Sequence, residues 1–360
     1  MSKMRTAILG LGLVVKQIHL PACAAVPELE LIAGCDPSPE RRGWAEQQGV
    51  RTTYADAVTL LEREKPELVV IATPPDTHRD MCLLALRHGA HVVCEKPFVA
   101  RLEEADEVVA AAAQAGRIVA VNHEYRYLDT FMKTRLALDR GDFGRPYLIQ
   151  VWQQMFHPPY QEKNWRSHLI QSSLYEFGGH PLDLFSYFFG ALPQTITAHI
   201  PKVRQDTEAD VLVQATLRYP DERMATLLLN RVSRAPRRYL EMRIDCEEAS
   251  LRLSFGGVAR ATMEWSGEAR RPVFRGSLVK GGESRIERGG RSRVLAFDRQ
   301  ESRPMATGRL LAEMIADIRA GRISLDAVNR ARMHARTIFA GYESARRGET
   351  VDIASFVPCA

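Results

Sequence analysis

Short apolar runs alternate with helix-patterned segments over residues 5–121, and no other feature of the chain limits its fold so strongly. The runs fall at 6–9, 29–35, 68–72, 91–94 and 118–121. Between them, segments 39–48, 77–88 and 102–115 repeat apolar residues at three- and four-residue steps. A strand covered by helices on both faces has no solvent side, so it reads as an unbroken apolar run. The alternation predicts a parallel sheet with right-handed helical crossovers. The first domain, residues 1–121, is therefore read as an α/β Rossmann domain.

Beyond Val121 the pattern changes. Helices are predicted over 128–140 and 174–189, and strand runs come after them at 195–202, 211–219, 224–232, 239–245, 250–255 and 259–265. Polar turns such as Tyr219-Pro-Asp-Glu222 suit hairpins. The second domain, residues 122–360, is thus predicted as α+β with a large, mainly antiparallel open sheet. Helices over 306–320 and 324–347 close the chain and are free to pack back on the first domain.

With 360 residues, 45% hydrophobic and 26% charged, the chain has material for two cores. No apolar run approaches the roughly 20 residues a membrane helix needs. The apolar stretch 7–15 is interrupted by Lys16, Gln17 and His19 before Leu20-Pro-Ala-Cys23, which favours a strand-turn-helix over a leader peptide. Six scattered cysteines, without a C-x-x-C pair or zinc spacing, are expected to be reduced thiols of a cytoplasmic protein with no metal. The net charge of +5 is concentrated at 251–309, where 13 Lys/Arg face 6 Asp/Glu. With few aromatics among them, these arginines are expected in solvated loops between strands and not in a nucleic-acid site. They leave room for an anionic substrate such as a nucleotide sugar.

Chemistry is expected where predicted strands end. Gly10-Leu-Gly12-Leu13-Val14-Val15 comes directly after the first strand and opens a helix. Small residues there let the chain turn tightly and let its N–H groups approach a pyrophosphate, although Val15 stands where a third glycine is usual. Asp36 ends the second strand, placed to accept hydrogen bonds from ribose hydroxyls; it favours NAD, while Arg41 and Arg42 keep NADP possible. Thr73-Pro74-Pro75 stops the next strand with His78 just after it, and Glu95-Lys96-Pro97 leaves another at the same edge. A lysine beside a nicotinamide is suited to polarise a carbonyl. Glu176, His180 and Asp183 share one face of the helix predicted over 174–189, which makes His180 a general base oriented by carboxylates. Tyr125, Arg126, Trp165 and Arg166 lie near the start of the second domain and are expected in the substrate wall.

Set in order, these pieces resemble the glucose-fructose oxidoreductase / inositol dehydrogenase / rhizopine-catabolism (Gfo/Idh/MocA) family. The resemblance is carried by Ala7-Ile-Leu-Gly-Leu-Gly12, His19-Leu-Pro21, Ala72-Thr-Pro-Pro-Asp-Thr-His78 and His91-Val-Val-Cys-Glu-Lys-Pro97. Gly178-Gly-His-Pro-Leu-Asp183 and Tyr342-Glu-Ser-Ala-Arg-Arg-Gly-Glu-Thr-Val-Asp352 extend it nearly end to end. The resemblance implies a two-domain enzyme moving hydride between NAD(P) and a sugar, polyol or related carbonyl compound. It implies Lys96 as the catalytic lysine, often preceding a cis-proline, and His180 as the acid/base. Gly10, Gly12, Asp36, Thr73, Pro74, His78 and Glu95 would line the dinucleotide. A homodimer or homotetramer through the open sheet face is implied as well. Two departures stand out: Glu176 occupies the usual aspartate position, and Gln171-Ser172-Ser173 replaces the glycine run before it. Two rival functions remain, a glycoside hydrolase using NAD transiently for oxidation and elimination, and a dinucleotide-binding sensor without turnover.

Overall fold

The computed structural model describes residues 2–158, 165–234, 238–256, 281–298 and 302–357, together with the backbone of 258–266 and 271–279. The first sheet contains β1 (Met4–Leu9), β2 (Leu29–Cys35), β3 (Thr52–Tyr54), β4 (Leu68–Ile71), β5 (His91–Cys94) and β6 (Val119–Val121). All pairs are parallel, in the order β3-β2-β1-β4-β5-β6. This doubly wound order places the reversal of direction between β1 and β4, where a ligand crevice opens at the carboxyl ends. β4 and β5 are buried at every residue, as their unbroken apolar runs require. β3 escapes the sequence reading because Thr-Thr-Tyr is short, polar and at the sheet edge.

A π-wound turn, Val15–His19, runs into α1 (Leu20–Ala24) after β1. α2 (Pro39–Gln47), α3 (Ala57–Glu64), α4 (His78–Arg87) and α5 (Leu102–Ala115) provide the later crossovers, and α6 (Asp129–Asp139) leads out of the region. Apolar side chains pack on both faces of the sheet.

The second sheet begins with β7 (Pro146–Gln154). Two short helices come next, α7 (Ser173–Phe177) and α8 (Gly179–Phe189), and then β8 (Thr195–His199), β9 (Leu212–Arg218), β10 (Met224–Asn230), β11 (Leu240–Cys246) and β12 (Ser250–Phe255). β13 (Val258–Ser266) and β14 (Arg271–Val279) form a separate antiparallel hairpin. β15 (Glu283–Arg288), β16 (Arg291–Phe297) and β17 (Val351–Asp352) complete a nine-stranded sheet in the order β16-β15-β12-β11-β7-β10-β9-β8-β17. Its pairs are antiparallel except β7 with β10. The turn Tyr219-Pro-Asp-Glu222 joins β9 to β10, with Asp221 and Glu222 both at positive φ, as a tight hairpin of right-handed twist demands.

Two expectations are corrected here. Beyond the strand foreseen at 259–265, the arginine-rich stretch is not loops: much of it forms β14 to β16, and Arg285, Arg288, Arg291 and Arg293 ride on strands at the sheet edge. Charged side chains there discourage edge-to-edge pairing. The helix predicted over 174–189 is broken at Gly178, where an added Cβ would lie 2.4 Å from the Leu174 carbonyl oxygen. α9 (Ser302–Arg319) packs against the first sheet through Leu310, Leu311, Met314 and Ile315. α10 (Asp326–Arg347) contacts both α5 and β8. The five described cysteines are buried and unbridged.

Candidate active site

The carboxyl edge of the first sheet assembles most of the residues singled out in the sequence. Gly10 has φ +86°, and a Cβ on it would sit 2.6 Å from the Ala72 carbonyl oxygen, so only glycine lets β1 and β4 approach so closely at this turn. Nothing lies within 4 Å of the corresponding point on Gly12. Leu13 is exposed and Val14 half-buried, so the turn presents an open cradle at the start of a helical segment. At the end of β2, Asp36 is 2% exposed; its Oδ2 accepts from the Leu11 N–H at 2.9 Å and its Oδ1 from the Ser38 N–H at 2.9 Å. Arg41 reaches Asp36 Oδ2 at 3.4 Å from the rim. This glycine cradle with an anchored carboxylate one strand away fits a dinucleotide.

Thr73 and Pro74 lie at the rim, with Thr73 Oγ1 accepting from the Thr77 hydroxyl at 2.7 Å. His78 is fully buried. Its Nδ1 lies 2.9 Å from the Pro97 carbonyl oxygen and its Nε2 2.9 Å from that of Thr73, so it braces two loops against each other and presents no surface to a ligand. Glu95 is similarly occupied. Its Oε1 accepts from His19 Nε2 and Asn122 Nδ2, both at 2.8 Å, and its Oε2 from the Lys96 N–H at 3.1 Å. Despite burial, these donors and the Lys96 charge hold the carboxyl down to about 2. The glycine turn is thereby tied, through His19, to the segment that carries Lys96.

The Lys96–Pro97 peptide bond is cis. The Lys96 ammonium crosses to the second half, donating to the Glu176 carbonyl oxygen at 3.3 Å and lying 5.8 Å from the centre of the Phe177 ring. His180, at the start of α8, is 3% exposed and stacks flat on Tyr125, with ring centroids 3.8 Å apart and planes 6° from parallel. Its Nε2 lies 3.6 Å from Glu124 Oε2, and its Nδ1 has no hydrogen-bond partner. Burial, and then the Lys96 charge, hold the imidazole well below its ordinary value, so it is neutral and available as a base.

The carboxylates expected to orient His180 are engaged elsewhere. Glu176 receives Arg166 Nε at 2.5 Å, and Arg231 lies 4.0 Å away. The Arg166 guanidinium in turn covers the Trp165 ring at 4.3 Å. Asp183 binds Arg126 through Nε at 2.7 Å and Nη2 at 2.5 Å, with His123, Arg330 and His334 at 3.8 to 3.9 Å. Tyr125 therefore holds a catalytic candidate from behind, and Arg126 belongs to a buried ion cluster; neither is placed as an open substrate wall. His123, Asp183 and His334 could offer three ligand atoms to a metal, but the two guanidiniums on the same carboxylate oppose a cation there.

Glu124, His123, His334 and Arg231 are neighbours of this site that sequence reasoning misses, and His19 enters it only as part of the His19-Leu-Pro21 motif. A signal for Glu124 exists: it lies just after β6, at the same carboxyl edge that draws attention to Glu95 and Lys96. Burial, reinforced by Glu95, pushes its carboxyl up to about 8. Arg231 lies at the end of β10, is 1% exposed and donates to the His157 carbonyl oxygen at 2.9 Å and to Ser172 Oγ at 2.5 Å. Ser173 and Leu174 direct N–H groups to Asp210 at 2.8 and 3.2 Å, so a distant carboxylate caps α7 where the glycine run is missing.

These buried groups predict a stability maximum near pH 6.5. His123 is held down to about 4, and His180 and His334 well below the ordinary value, in each case by burial first. Below about 6.5 the unfolded chain takes up protons that these folded imidazoles refuse, so stability is lost as pH falls. Glu124 has the opposite sign: between its unfolded value and about 8 the folded form retains a proton the unfolded form releases, so stability declines as pH rises. Three histidines outweigh one glutamate on the acid side, at about 1.4 kcal/mol per group and pH unit. Urea midpoints measured from pH 4.5 to 8.5 test this; a flat profile between 5 and 6.5 refutes it.

Comparison with known proteins agrees with this architecture. Residues 4–123 match the model described as "Oxidoreductase family, NAD-binding Rossmann fold", and residues 131–252 match the GFO/IDH/MocA C-terminal domain. The uncharacterized oxidoreductase YdgJ of Escherichia coli (strain K12) is 30% identical over 224 residues, 61% of this chain and 63% of that protein. The scyllo-inositol 2-dehydrogenase (NADP(+)) IolW of Bacillus subtilis (strain 168) is 26% identical over 223 residues, 60% of each chain. The chain thus aligns with less than two thirds of the length of these relatives. Among solved structures, an oxidoreductase from Agrobacterium radiobacter in complex with NAD+, L-tartaric acid and magnesium superposes with a TM-score of 0.83 at 19% identity, over 99% of this chain and 100% of that one; at that identity it speaks for the fold alone.

Proposed function

Because the chain belongs to the Gfo/Idh/MocA oxidoreductase family, whose Rossmann fold binds NAD, we propose that it moves hydride reversibly between a nicotinamide dinucleotide and a secondary alcohol or ketone of a sugar, polyol or sugar derivative. The observation that carries this reading is the convergence of Lys96, from the edge of the parallel sheet, with the segment bearing His180, through the 3.3 Å contact of the ammonium with Glu176. Residues 1–121 form the dinucleotide domain and residues 122–360 the substrate and oligomerisation domain.

Gly10, Gly12, Leu13 and Val14 cradle the pyrophosphate, Asp36 takes the ribose hydroxyls, Thr73 and Pro74 form the rim, and His78 and Glu95 support it from beneath. Asp36 repels a 2′-phosphate, so NAD is preferred, with Arg41 the residue that would accommodate NADP. Bound nicotinamide supplies the acceptor or donor of hydride. Lys96 stabilises negative charge developing on the substrate oxygen, and His180, neutral and held flat by Tyr125, takes or returns the hydroxyl proton. Glu176 acts by presenting its carbonyl oxygen to Lys96 and by holding Arg166. Trp165 and Arg166 are the remaining candidates for the substrate wall.

No helix among the described residues is long and apolar enough to cross a membrane. The open face of the large sheet carries Leu148, Gln150 and Trp152 beside Met224, Thr226 and Leu228, all incompletely buried. It is the surface through which two or four copies would pair. A cytoplasmic setting completes the proposal.

The reading is tested by a panel of sugars, polyols and inositols offered with NAD or NADP, with absorbance of reduced nicotinamide as the signal and native mass spectrometry of the purified protein to identify a retained dinucleotide. Reduction of NAD by at least one polyhydroxy compound is expected. Sugar release from a glycoside without accumulation of reduced nicotinamide would replace the dehydrogenase with elimination chemistry, and neither turnover nor dinucleotide binding would refute the proposal.

A further inference from the structure

We infer that Glu124 is the proton reservoir of His180: its carboxyl group exchanges one proton with imidazole Nε2 while the other ring nitrogen serves the substrate oxygen. This rests on the hydride-transfer reading above.

Geometry singles out Glu124 among the acids around the ring. Glu176 is held by Arg166, and Asp183 by a two-point contact with Arg126. Each is anchored as an anion by a guanidinium, and neither contacts His180. Glu124 Oε2 lies 3.6 Å from His180 Nε2, and the two residues are 4% and 3% exposed. A movement of about half an ångström brings that pair to hydrogen-bond distance. Tyr125, the next residue, stacks on the imidazole at 3.8 Å, so one short segment fixes both the face of the ring and the acid at its edge. Nδ1 is buried without a partner. A ring with a carboxyl group at one nitrogen and an unfilled hydrogen-bonding position at the other is arranged to take a proton on one side as it gives one on the other.

The protons balance. In carbonyl reduction, the His180 Nδ1–H bond breaks as the alcohol O–H forms, and the Glu124 Oε2–H bond breaks as His180 Nε2–H forms. The pair ends as neutral imidazole and carboxylate, and the carboxylate regains its proton from solvent. Oxidation runs the same transfers backwards and needs Glu124 ionised beforehand.

The surroundings set which state is ready. Glu124 is desolvated and faces Glu95, which favour its acid form, against Lys96 and Arg303, which oppose it; the balance lies at about 8. His180 is desolvated and faces Lys96, His123 and Arg303, which keep it neutral, with Asp183 acting the other way. Near neutrality the pair is therefore loaded for reduction, and oxidation gains as pH rises through about 8.

The test uses the full-length protein without substrate or added dinucleotide. Ring ¹⁵N signals of His180, assigned by their loss in His180→Gln, are followed from pH 6 to 9.5. A step near pH 8 is expected in the wild type, abolished in Glu124→Gln and displaced but retained in Glu124→Asp, which serves if the glutamine variant misfolds. A flat His180 profile in the wild type, or an unchanged step in Glu124→Gln, overturns the inference. In turnover, Glu124→Gln should lower kcat for reduction by about 100-fold, with KM little changed and the pH dependence around 8 removed. A step in the ¹⁵N titration without turnover of any polyhydroxy compound sinks the dehydrogenase reading and leaves the proton pair standing. Turnover without the step does the reverse.

Discussion

Replacing Lys96 with alanine is expected to lower kcat by about 10²–10⁴-fold while dinucleotide affinity changes by no more than a few-fold. The ammonium leaves the first sheet at the edge where ligands bind in such sheets, and it reaches the Glu176 carbonyl at 3.3 Å. Its charge is positioned to strengthen its grip on a substrate oxygen only as that oxygen becomes anionic, and an interaction of that kind appears in kcat more than in KM. The dinucleotide rests on other groups, Gly10, Gly12 and Asp36, which the substitution leaves in place. Steady-state kinetics paired with a fluorescence titration of reduced dinucleotide separates the two effects. Unchanged turnover would remove Lys96 from the chemistry, and a collapse of dinucleotide affinity would make it a binding residue.

Asp183→Asn should cost about 3–5 kcal/mol of folding stability, read as a lower urea midpoint and a Tm lower by several degrees. Asp183 is 1% exposed and is the shared anion for Arg126, Arg330, His123 and His334. Its carboxyl is held far below the usual range by Arg126 and the neighbouring histidines in spite of burial. Neutralising it leaves a buried guanidinium without its counter-charge, which is the costly way to break an internal ion pair. The sequence places the same residue in the substrate pocket, three positions from His180. Were that its role, the substitution would raise KM and leave the urea midpoint where it was, so the two measurements decide between a structural anion and a substrate ligand.

The contrast between these two residues shows where sequence reading succeeds. Lys96 is legible because its place depends on local rules: an apolar run makes a buried strand, and the residues just after such a strand emerge at the ligand edge. Gly10, Asp36 and Thr73 are legible for the same reason, and so is the mixed character of the second half. Asp183 is harder to read: it lies one turn from His180 on α8, as its spacing says, but the guanidiniums that take its charge, Arg126 and Arg330, come from outside that helix. Glu176 is parted from His180 instead, on the short α7 that ends at Gly178. Glu124 obeys the edge rule yet carries no pattern that distinguishes it from an ordinary glutamate. The arginines of β15 and β16 read as loops because an edge strand needs few apolar residues to stay paired.

By itself the sequence determined the parallel sheet, its glycine turn and the run of polar residues at its carboxyl edge, since these arise from periodicity and from steric demands within a few residues. Only the tertiary structure decided which carboxylate lies beside the His180 ring and which histidines are kept neutral. Those outcomes depend on burial and on charges brought close from β5, the segment after β6, α8, α9 and α10, and both terms act through space between groups far apart in the chain.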